Sequence, residues 1–205
     1  MSLFLSLLLI FGSAVIPGFS VSAVETEIPE GYVGVYTKDD LYDVRNNMSG
    51  KYILMNDITF EDSDYEKGGG FYNSGKGWDP IGTSSTYFRG TFDGNGYKIH
   101  NLRINNPTAD YQGLFGYVSG ATISNVTLVN ADITGHEDVG GICGYLSGSS
   151  TASCCIVSGS VKGYECVGGI CGHQYSSSKS YPAVITKCIN TGNISASSSN
   201  AGGIV

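Results

Sequence analysis

The chain has 205 residues, of which 18 are Asp or Glu and 11 are Lys or Arg, so its net charge is −7. No run of basic residues offsets this acidity, and the sequence therefore excludes the basic footprint that nucleic-acid binding requires. The length suits a single domain.

The chain begins with an apolar segment that is typical of a secretory signal. Residues 1–23 contain no charged side chain and end in Val21-Ser22-Ala23, the small-residue pattern that a signal peptidase cleaves. A membrane-spanning helix is the competing interpretation, but Gly12, Pro17 and Gly18 interrupt a short apolar run. We therefore expect cleavage after Ala23, a secreted or cell-surface location and no transmembrane segment apart from the signal.

Residues 24–112 are predicted to form an N-terminal cap and the first coils. Thr37 followed by Asp40 indicates a capping box that opens a short helix, with Leu41 and Val44 on one face. Residues 52–58 and 97–104 are predicted to form strands, and 93–96 predicts a tight turn between them. Such a helix and sheet would close the first coil of a solenoid.

Residues 113–205 contain one repeated phrase, which predicts the fold. Gly-x-x-Gly followed by Tyr or His recurs at 113–117, 141–145 and 169–173, and a partial copy at 203–205 leads us to expect further sequence after Val205. A constant period of this size is typical of a solenoid. The repeated glycines are Gly113, Gly116, Gly141, Gly144, Gly169 and Gly172.

The repeat is built of strands. Apolar residues alternate with period two, and Gly, Asn or Ser interrupts them every few residues, whereas helical spacing is missing. The sequence therefore predicts an all-β fold, a right-handed parallel β-helix with a short N-terminal helix-and-sheet cap. Coils about 4.8 Å apart stack equivalent residues, which predicts Leu128 over Ile156 and Ile133 over Val161.

Doubled glycines open the last three copies of the repeated phrase, at 140–141, 168–169 and 202–203. We interpret them as corners that need a positive φ or a close backbone approach. A phosphate-binding loop is the alternative, but no Lys-Ser or Lys-Thr follows and no helix is indicated.

The order of motifs resembles a known family. Trp-Asp-Pro-Ile-Gly at 78–82, Phe-Arg-Gly-Thr-Phe-Asp-Gly-Asn-Gly-Tyr at 88–97 and Val-Gly-Gly-Ile-Cys-Gly at 139–144 and 167–172 are similar to bacterial surface proteins with GLUG-motif repeats. Similar repeats occur in the N-terminal region of immunoglobulin A1 protease-type metallopeptidases. The resemblance implies a right-handed parallel β-helix, secreted or at a cell surface, with a scaffolding or adhesive role.

The resemblance does not extend to proteolysis. Those metallopeptidases have their zinc site in another domain, and this chain has no His-Glu-x-x-His. Its nearest string, His136-Glu137-Asp138, lacks the second His.

Two surface features are candidates for ligand contact. Tyr117, Tyr145 and His173 follow the repeated glycines and are predicted to stack in one outer column. Glu137 and Glu165 share another column, where carboxylates about 5 Å apart would repel, raise one pKa or recruit a cation. The alternative is a corner loop that places both carboxylates in water, and we favour it because charged groups are sparse on this face.

Metal and disulfide chemistry are not favoured. His100, His136 and His173 occupy different columns, so we expect structural roles for them, with no metal and no cofactor. Cysteines do share columns, but parallel Cβ vectors would hold the Cβ atoms wider than the roughly 3.8 Å that a disulfide prefers. Buried free thiols are therefore favoured over disulfides in both columns, which pair Cys143 with Cys171 and Cys155 with Cys188.

The N-terminal segment offers two further candidates. Asp62, Asp64 and Glu66 alternate as calcium ligands do, although a solvated acidic loop is the favoured interpretation. Trp78 and its aromatic neighbours suit either a sugar-binding platform or the core of the cap, and we favour the core. These neighbours are Phe71, Tyr72 and Tyr87.

The sequence favours a non-catalytic, exported surface scaffold or adhesin-like module that binds a host or neighbour-cell protein or glycan. A polysaccharide lyase or glycosidase is the alternative, and it would require Glu137, Asp138 and Glu165 to act together. A second alternative is the non-catalytic N-terminal region of a larger surface metallopeptidase.

Overall fold

The computed structural model describes residues 27–176, 180 and 182–205, so the predicted signal at 1–23 lies outside the described part. This part contains seventeen strands, the helices α1 (Lys38–Asp43) and α2 (Asp62–Tyr65), and 3₁₀ turns at Val44–Asn46 and Asn73–Gly75. The strands are, in chain order, β1 Tyr32–Val35, β2 Lys51–Leu54, β3 Ile58–Thr59, β4 Thr91–Asp93, β5 Lys98–His100, β6 Arg103–Asn105, β7 Phe115–Ser119, β8 Thr122–Ser124, β9 Thr127–Thr134, β10 Glu137–Gly140, β11 Cys143–Ser147, β12 Thr151–Ser153, β13 Ile156–Gly168, β14 Cys171–Tyr175, β15 Val184–Thr186, β16 Ile189–Asn190 and β17 Asn193–Gly202.

The strands form three parallel sheets that the chain visits in turn. The first sheet has the order β1-β2-β4-β8-β12-β15, and the third has the order β7-β11-β14. The second sheet follows β3-β5-β9-β13-β10, with β6 on β9 and with β16 and β17 on β13. The result is a β-solenoid of about four turns, which confirms the predicted parallel β-helix.

Stacked apolar columns fill the interior. Ile133 pairs with Val161 and Val139 pairs with Val167, and all four side chains are buried. Each buried side chain of this size stabilises the fold by roughly 1.5–3 kcal/mol. Since a coil covers its neighbours' apolar side chains, stability depends on adjacent coils being folded together.

The register of one predicted stacked pair is wrong by a single residue. Leu128 pairs with Val157 rather than with Ile156, and Ile156 is 38% exposed. The register shifts between Val157 and Gly159, where Gly159 has a φ of 114°. This irregularity absorbs one residue, and Ile133 therefore still lies over Val161 as predicted.

The doubled glycines, with the exception of Gly203, allow close backbone approach and do not have a positive φ. None of the three pairs has a positive φ, whereas a Cβ on Gly141 would lie 2.5 Å from the carbonyl oxygen of Gly169. Left-handed conformations occur at other positions, and four of them form a column of non-glycine residues at Asp138 of β10 and at the equivalent position of three other coils. This column, named here the left-handed corner, consists of Tyr111, Asp138, Cys166 and Asn200, with φ values of 52–59°.

The predicted helix is confirmed in detail. The Thr37 hydroxyl accepts a hydrogen bond from the amide of Asp40, and the Asp40 carboxylate accepts one from the amide of Thr37. Leu41 and Val44 are fully buried. Trp78 and Phe71 are also buried, so these two rings belong to the core of the cap and not to a sugar platform, whereas Tyr87 is exposed.

The predicted cap sheet is in fact the first coils of the solenoid. Segment 52–58 divides into β2 and β3, and segment 97–104 divides into β5 and β6 at Asn101, whose φ is 59°. The turn at 93–96 joins β4 of the first sheet to β5 of the second, so it is a solenoid corner rather than a hairpin. The composition of 93–96 predicts a turn, but it does not distinguish a hairpin turn from a solenoid corner.

Helix α1, with six residues, is the longest helix in the described part of the chain. No helix there is long and apolar enough to cross a membrane.

Candidate functional site: an aromatic ladder beside an acidic corner

The second glycine of each repeated phrase sets the geometry of the site. A Cβ on Gly144 would lie 2.6 Å from the carbonyl oxygen of Asp138 and 2.6 Å from Cα of Tyr111. A Cβ on Gly172 would overlap the backbone of Asp138 in the same way. Only glycine therefore lets the third sheet fold back against the left-handed corner, and the residue after each glycine emerges beside that corner.

The residues after these glycines form a continuous stack of rings. Tyr117 pairs with Tyr145, and their rings stack with centroids 4.6 Å apart. Tyr145 pairs with His173 at a centroid distance of 5.0 Å, which confirms the predicted column. Three further rings that sequence reasoning missed contact this column, namely Tyr87, Tyr111 and Tyr175. We call these six residues the aromatic ladder.

The aromatic ladder lies at the surface. Tyr87 and Tyr175 are exposed, and the other four rings are half-buried. Burial, together with the neighbouring Tyr117 hydroxyl and the Asp138 carboxylate, raises the pKa of Tyr145 to about 12, so its phenol is a neutral hydrogen-bond donor at physiological pH.

Acidic groups lie beside the ladder. Glu137 and Glu165 pair in register, as predicted, and His136 Nδ1 lies 2.9 Å from Oδ1 of Asp110. The His136 ring stacks on Tyr164 with centroids 5.2 Å apart, again as the repeat predicted. We call Asp110, His136, Glu137, Asp138 and Glu165 the acidic corner. Among the described residues, the ion pairs that these carboxylates form are all to histidines.

Asp138 is the most enclosed of these carboxylates. Its side chain is 13% exposed, and Oδ1 lies 3.2 Å from Nδ1 of His173. Burial raises the pKa of Asp138, and His173 partly offsets that effect. Cys166 lies directly over Asp138 in the next coil, and the ligand atoms of Asp138, Cys166 and His173 are all within 4.8 Å of one another.

Sequence reasoning missed this juxtaposition. It considered His173 only in the Tyr145 column. His173 reaches Asp138 because Gly172 allows β14 to contact the corner, a contact between sheets that a 28-residue register does not display.

The predicted calcium ligands bind cations of the protein itself. Asp64 accepts hydrogen bonds from Lys38 Nζ and from its own helix N-terminus, and Asp62 lies 2.9 Å from the guanidinium of Arg103. Two of the three carboxylates are thus paired within the protein, whereas the sequence favoured a solvated acidic loop. Arg103 also borders an open polar groove of about 670 Å³ that sequence reasoning did not identify.

The cysteines are free thiols. Cys143 pairs with Cys171 in register, and Cys155 lies beside Cys188, whose sulfur accepts the Cys155 amide at 3.4 Å. Three of the predicted column cysteines are buried, and Cys188 is half-buried. Cys154 is exposed, as expected for the neighbour of an inward-facing Cys155.

The fold and the site thus define a parallel β-solenoid with exposed, stacked side chains and a low density of charge. No family model matches the chain. Halomucin of Haloquadratum walsbyi is 33% identical to it over 125 residues, which are 56% of this chain and 1% of halomucin. An immunoglobulin A1 protease of Streptococcus sanguinis is 30% identical over 97 residues, which are 47% of this chain and 4% of the protease.

A solved structure has the same fold. The crystal structure of a Bacteroides ovatus protein assigned as an immunoglobulin A1 protease matches 78% of this chain and 47% of its own, with a TM-score of 0.58 and 20% identity. The chain therefore spans less than half of that structure and a few per cent of the two curated relatives. These similarities fit a module of a surface protein.

Proposed function

We propose that the chain is an exported, non-catalytic surface module of the GLUG-repeat type, and that its aromatic ladder binds a protein or glycan on a host or neighbouring cell. The six contacting rings of the ladder are the observation that supports this proposal most directly. Tyrosines are enriched among the residues that dominate binding energy, because each supplies large contact area with few rotatable bonds.

The solenoid suits this role because it repeats the same outward side chain in successive coils. Tyr117, Tyr145 and His173 come from three coils and lie on one line. An extended partner can contact all three without any rearrangement of the module, so the cost of ordering the binding surface is small.

The test is binding of the purified chain to whole cells and to a glycan array. We expect Tyr117→Ala combined with Tyr145→Ala to weaken binding at least tenfold, since truncating a central aromatic contact costs about 2 kcal/mol or more. Tyr36→Ala is the control, because Tyr36 is 48% exposed and is not part of the ladder. Equal binding by the double variant and the control would contradict the proposal.

The same assay distinguishes the two classes of partner. Binding that survives proteinase treatment of the cells and is lost after periodate oxidation identifies a glycan. The opposite pattern identifies a protein.

The likeness to immunoglobulin A1 proteases favours a second candidate, in which the chain is a non-catalytic region of a larger surface metallopeptidase. Here the ladder would position the protease on its target. Deleting this region from such a protein should raise KM for a surface-bound substrate and leave kcat for a short peptide unchanged.

The enzymatic alternative has its own test. A polysaccharide lyase or glycosidase would depend on the paired Glu137 and Glu165. Polysaccharide turnover by the wild type that Glu165→Gln abolishes, with folding unchanged, would replace the scaffold proposal.

A further inference from the structure

We propose that Asp138, Cys166 and His173 form a binding site for a divalent transition-metal cation, with Zn²⁺ as the best match. The three side chains come from β10, β13 and β14, so two sheets contribute to one site. The proposal goes beyond the binding role of the aromatic ladder and does not depend on it.

The ligand set and its geometry fit zinc. Thiolate, imidazole and carboxylate are the three side-chain ligands that zinc prefers. Tetrahedral bonds of about 2.0 Å place a nitrogen and an oxygen ligand about 3.3 Å apart, and His173 Nδ1 lies 3.2 Å from Asp138 Oδ1. All three ligand atoms lie within 4.8 Å of one another, so a small rotation of the Cys166 side chain completes the approach.

The backbone holds two of the ligands in place. Asp138 and Cys166 both have left-handed conformations, with φ values of 53° and 52°, and they stack in neighbouring coils. Non-glycine residues adopt this conformation at an energetic cost, and such positions are concentrated at functional sites. The corner therefore presents a carboxylate and a thiol from adjacent coils in a fixed relation.

The surroundings favour a cation. Glu137, Glu165 and Asp110 lie beside the site, and among the described residues the ion-pair partner of Asp110 and Glu137 is His136. The negative charge of these carboxylates attracts a divalent cation. On binding, the Cys166 sulfur forms the metal bond and its proton leaves to solvent, as for any zinc thiolate.

The site is accessible and has room for a fourth ligand. Cys166 and His173 border an open cavity of about 460 Å³. Asn200 borders the same cavity, and its side-chain nitrogen lies 3.8 Å from the Cys166 sulfur. A water molecule, or the Asn200 amide oxygen after a rotation of the amide, would complete a tetrahedron.

The experiment is a Co²⁺ titration of the reduced full chain, followed by Zn²⁺ competition against a chromophoric chelator. We expect one equivalent of Co²⁺ to bind with a sulfur-to-cobalt charge-transfer absorption in the near ultraviolet, and Zn²⁺ to displace it. His173→Gln and Cys166→Ser should each weaken Zn²⁺ binding at least tenfold, and Cys166→Ser should abolish the charge-transfer band. A tenfold molar excess of Mg²⁺ should have no effect, because Mg²⁺ prefers oxygen ligands.

Matched controls exclude trivial explanations. Cys154→Ser removes a thiol from another left-handed position, with a φ of 54°, and His136→Gln removes an imidazole beside the same acidic groups. Both controls should bind Co²⁺ like the wild type. His173→Gln leaves the left-handed corner intact, so it tests the site even if a substitution at Cys166 impairs folding.

Two results would overturn the proposal. One is a wild-type chain that shows no charge-transfer band at one equivalent of Co²⁺. The other is equal loss of the band in Cys154→Ser and Cys166→Ser, since the metal would then bind surface thiols without selection. A Zn²⁺-dependent rise in the wild-type Tm that His173→Gln removes would confirm that the folded chain holds the metal.

Discussion

At the residue scale, the Gly-x-x-Gly phrase combines two different steric requirements. The first glycine allows the next coil to approach, since a Cβ on Gly141 would meet the backbone of Gly169. The second glycine allows the third sheet to contact the left-handed corner, since a Cβ on Gly144 would meet Asp138 and Tyr111. The geometry of this surface therefore depends on residues that have no side chain.

We predict that Gly144→Ala destabilises the chain by about 1–3 kcal/mol, the usual cost of overpacking. The atoms that the new methyl group would meet are backbone atoms on two sides, so no side chain can move aside. Urea denaturation followed by circular dichroism measures the change. Gly70→Ala is the control, because its Cβ meets nothing within 4 Å, and it should stay within about 0.5 kcal/mol of the wild type. Equal stability of the two variants would contradict the steric argument.

The sequence predicts the contacts of some site residues and not those of others. The Tyr117, Tyr145 and His173 column follows from repetition alone, because parallel in-register strands stack equivalent positions. The contact of His173 with Asp138 does not, since it depends on how two sheets meet. Likewise, the sequence alone does not show whether a pair of glycines is required for a positive φ or for a close backbone approach.

At the level of secondary-structure elements, one phenol of the short helix α2 forms two hydrogen bonds with the backbone of the solenoid. The Tyr65 hydroxyl donates to the carbonyl of Asn101 at 3.0 Å and accepts from the amide of Arg103 at 2.9 Å. Its ring stacks on Phe60 and lies under the Arg103 guanidinium. Burial raises the pKa of Tyr65 well above its ordinary value, so the hydroxyl keeps its proton in the folded chain.

We predict that Tyr65→Phe destabilises the chain by about 1–3 kcal/mol at pH 7, because two backbone groups lose their partner. Above pH 10 the unfolded chain loses the phenol proton and the folded chain retains it, so the folded state binds more protons and wild-type stability falls as pH rises. The gap between wild type and Tyr65→Phe should therefore narrow between pH 9 and pH 11. Urea midpoints at the two pH values test this.

The control for this prediction is Tyr36→Phe. Tyr36 is 48% exposed, so its variant should match the wild type within about 0.5 kcal/mol at pH 7. A constant gap for Tyr65→Phe across the pH range would show that this phenol does not titrate differently in the folded chain.

The sequence predicts a helix or strand most accurately where contacts within that element determine its structure. The capping box of α1 is such a case, because Thr37 and Asp40 satisfy each other's backbone amides without outside contacts. Strand limits were predicted less well. Segment 97–104 alternates in the sequence except at the adjacent polar residues His100 and Asn101, and Asn101 adopts a left-handed conformation directly after β5. Asn tolerates that conformation, but composition does not require it.

At the scale of the whole molecule, the solenoid is a linear array in which each coil is stabilised by its neighbours. The third sheet shows the consequence. Strand β11 lies between β7 and β14, whereas β14 lies at the edge of this sheet in the described part of the chain. Cys143 on β11 and Cys171 on β14 have equal burial in the static structure, but they differ in how many strands cover them.

We predict that iodoacetamide labels these two thiols at different rates. Local opening of β14 exposes Cys171 and leaves β11 paired with β7, whereas exposure of Cys143 requires a larger unfolding event with a higher free energy. In sub-denaturing urea, mass spectrometry should therefore find Cys171 modified several-fold faster than Cys143. Cys154 is exposed and should be modified within the mixing time, which makes it the internal reference. Equal rates for Cys143 and Cys171 would mean that the coils unfold as one cooperative unit, and the nearest-neighbour description of this solenoid would then be wrong.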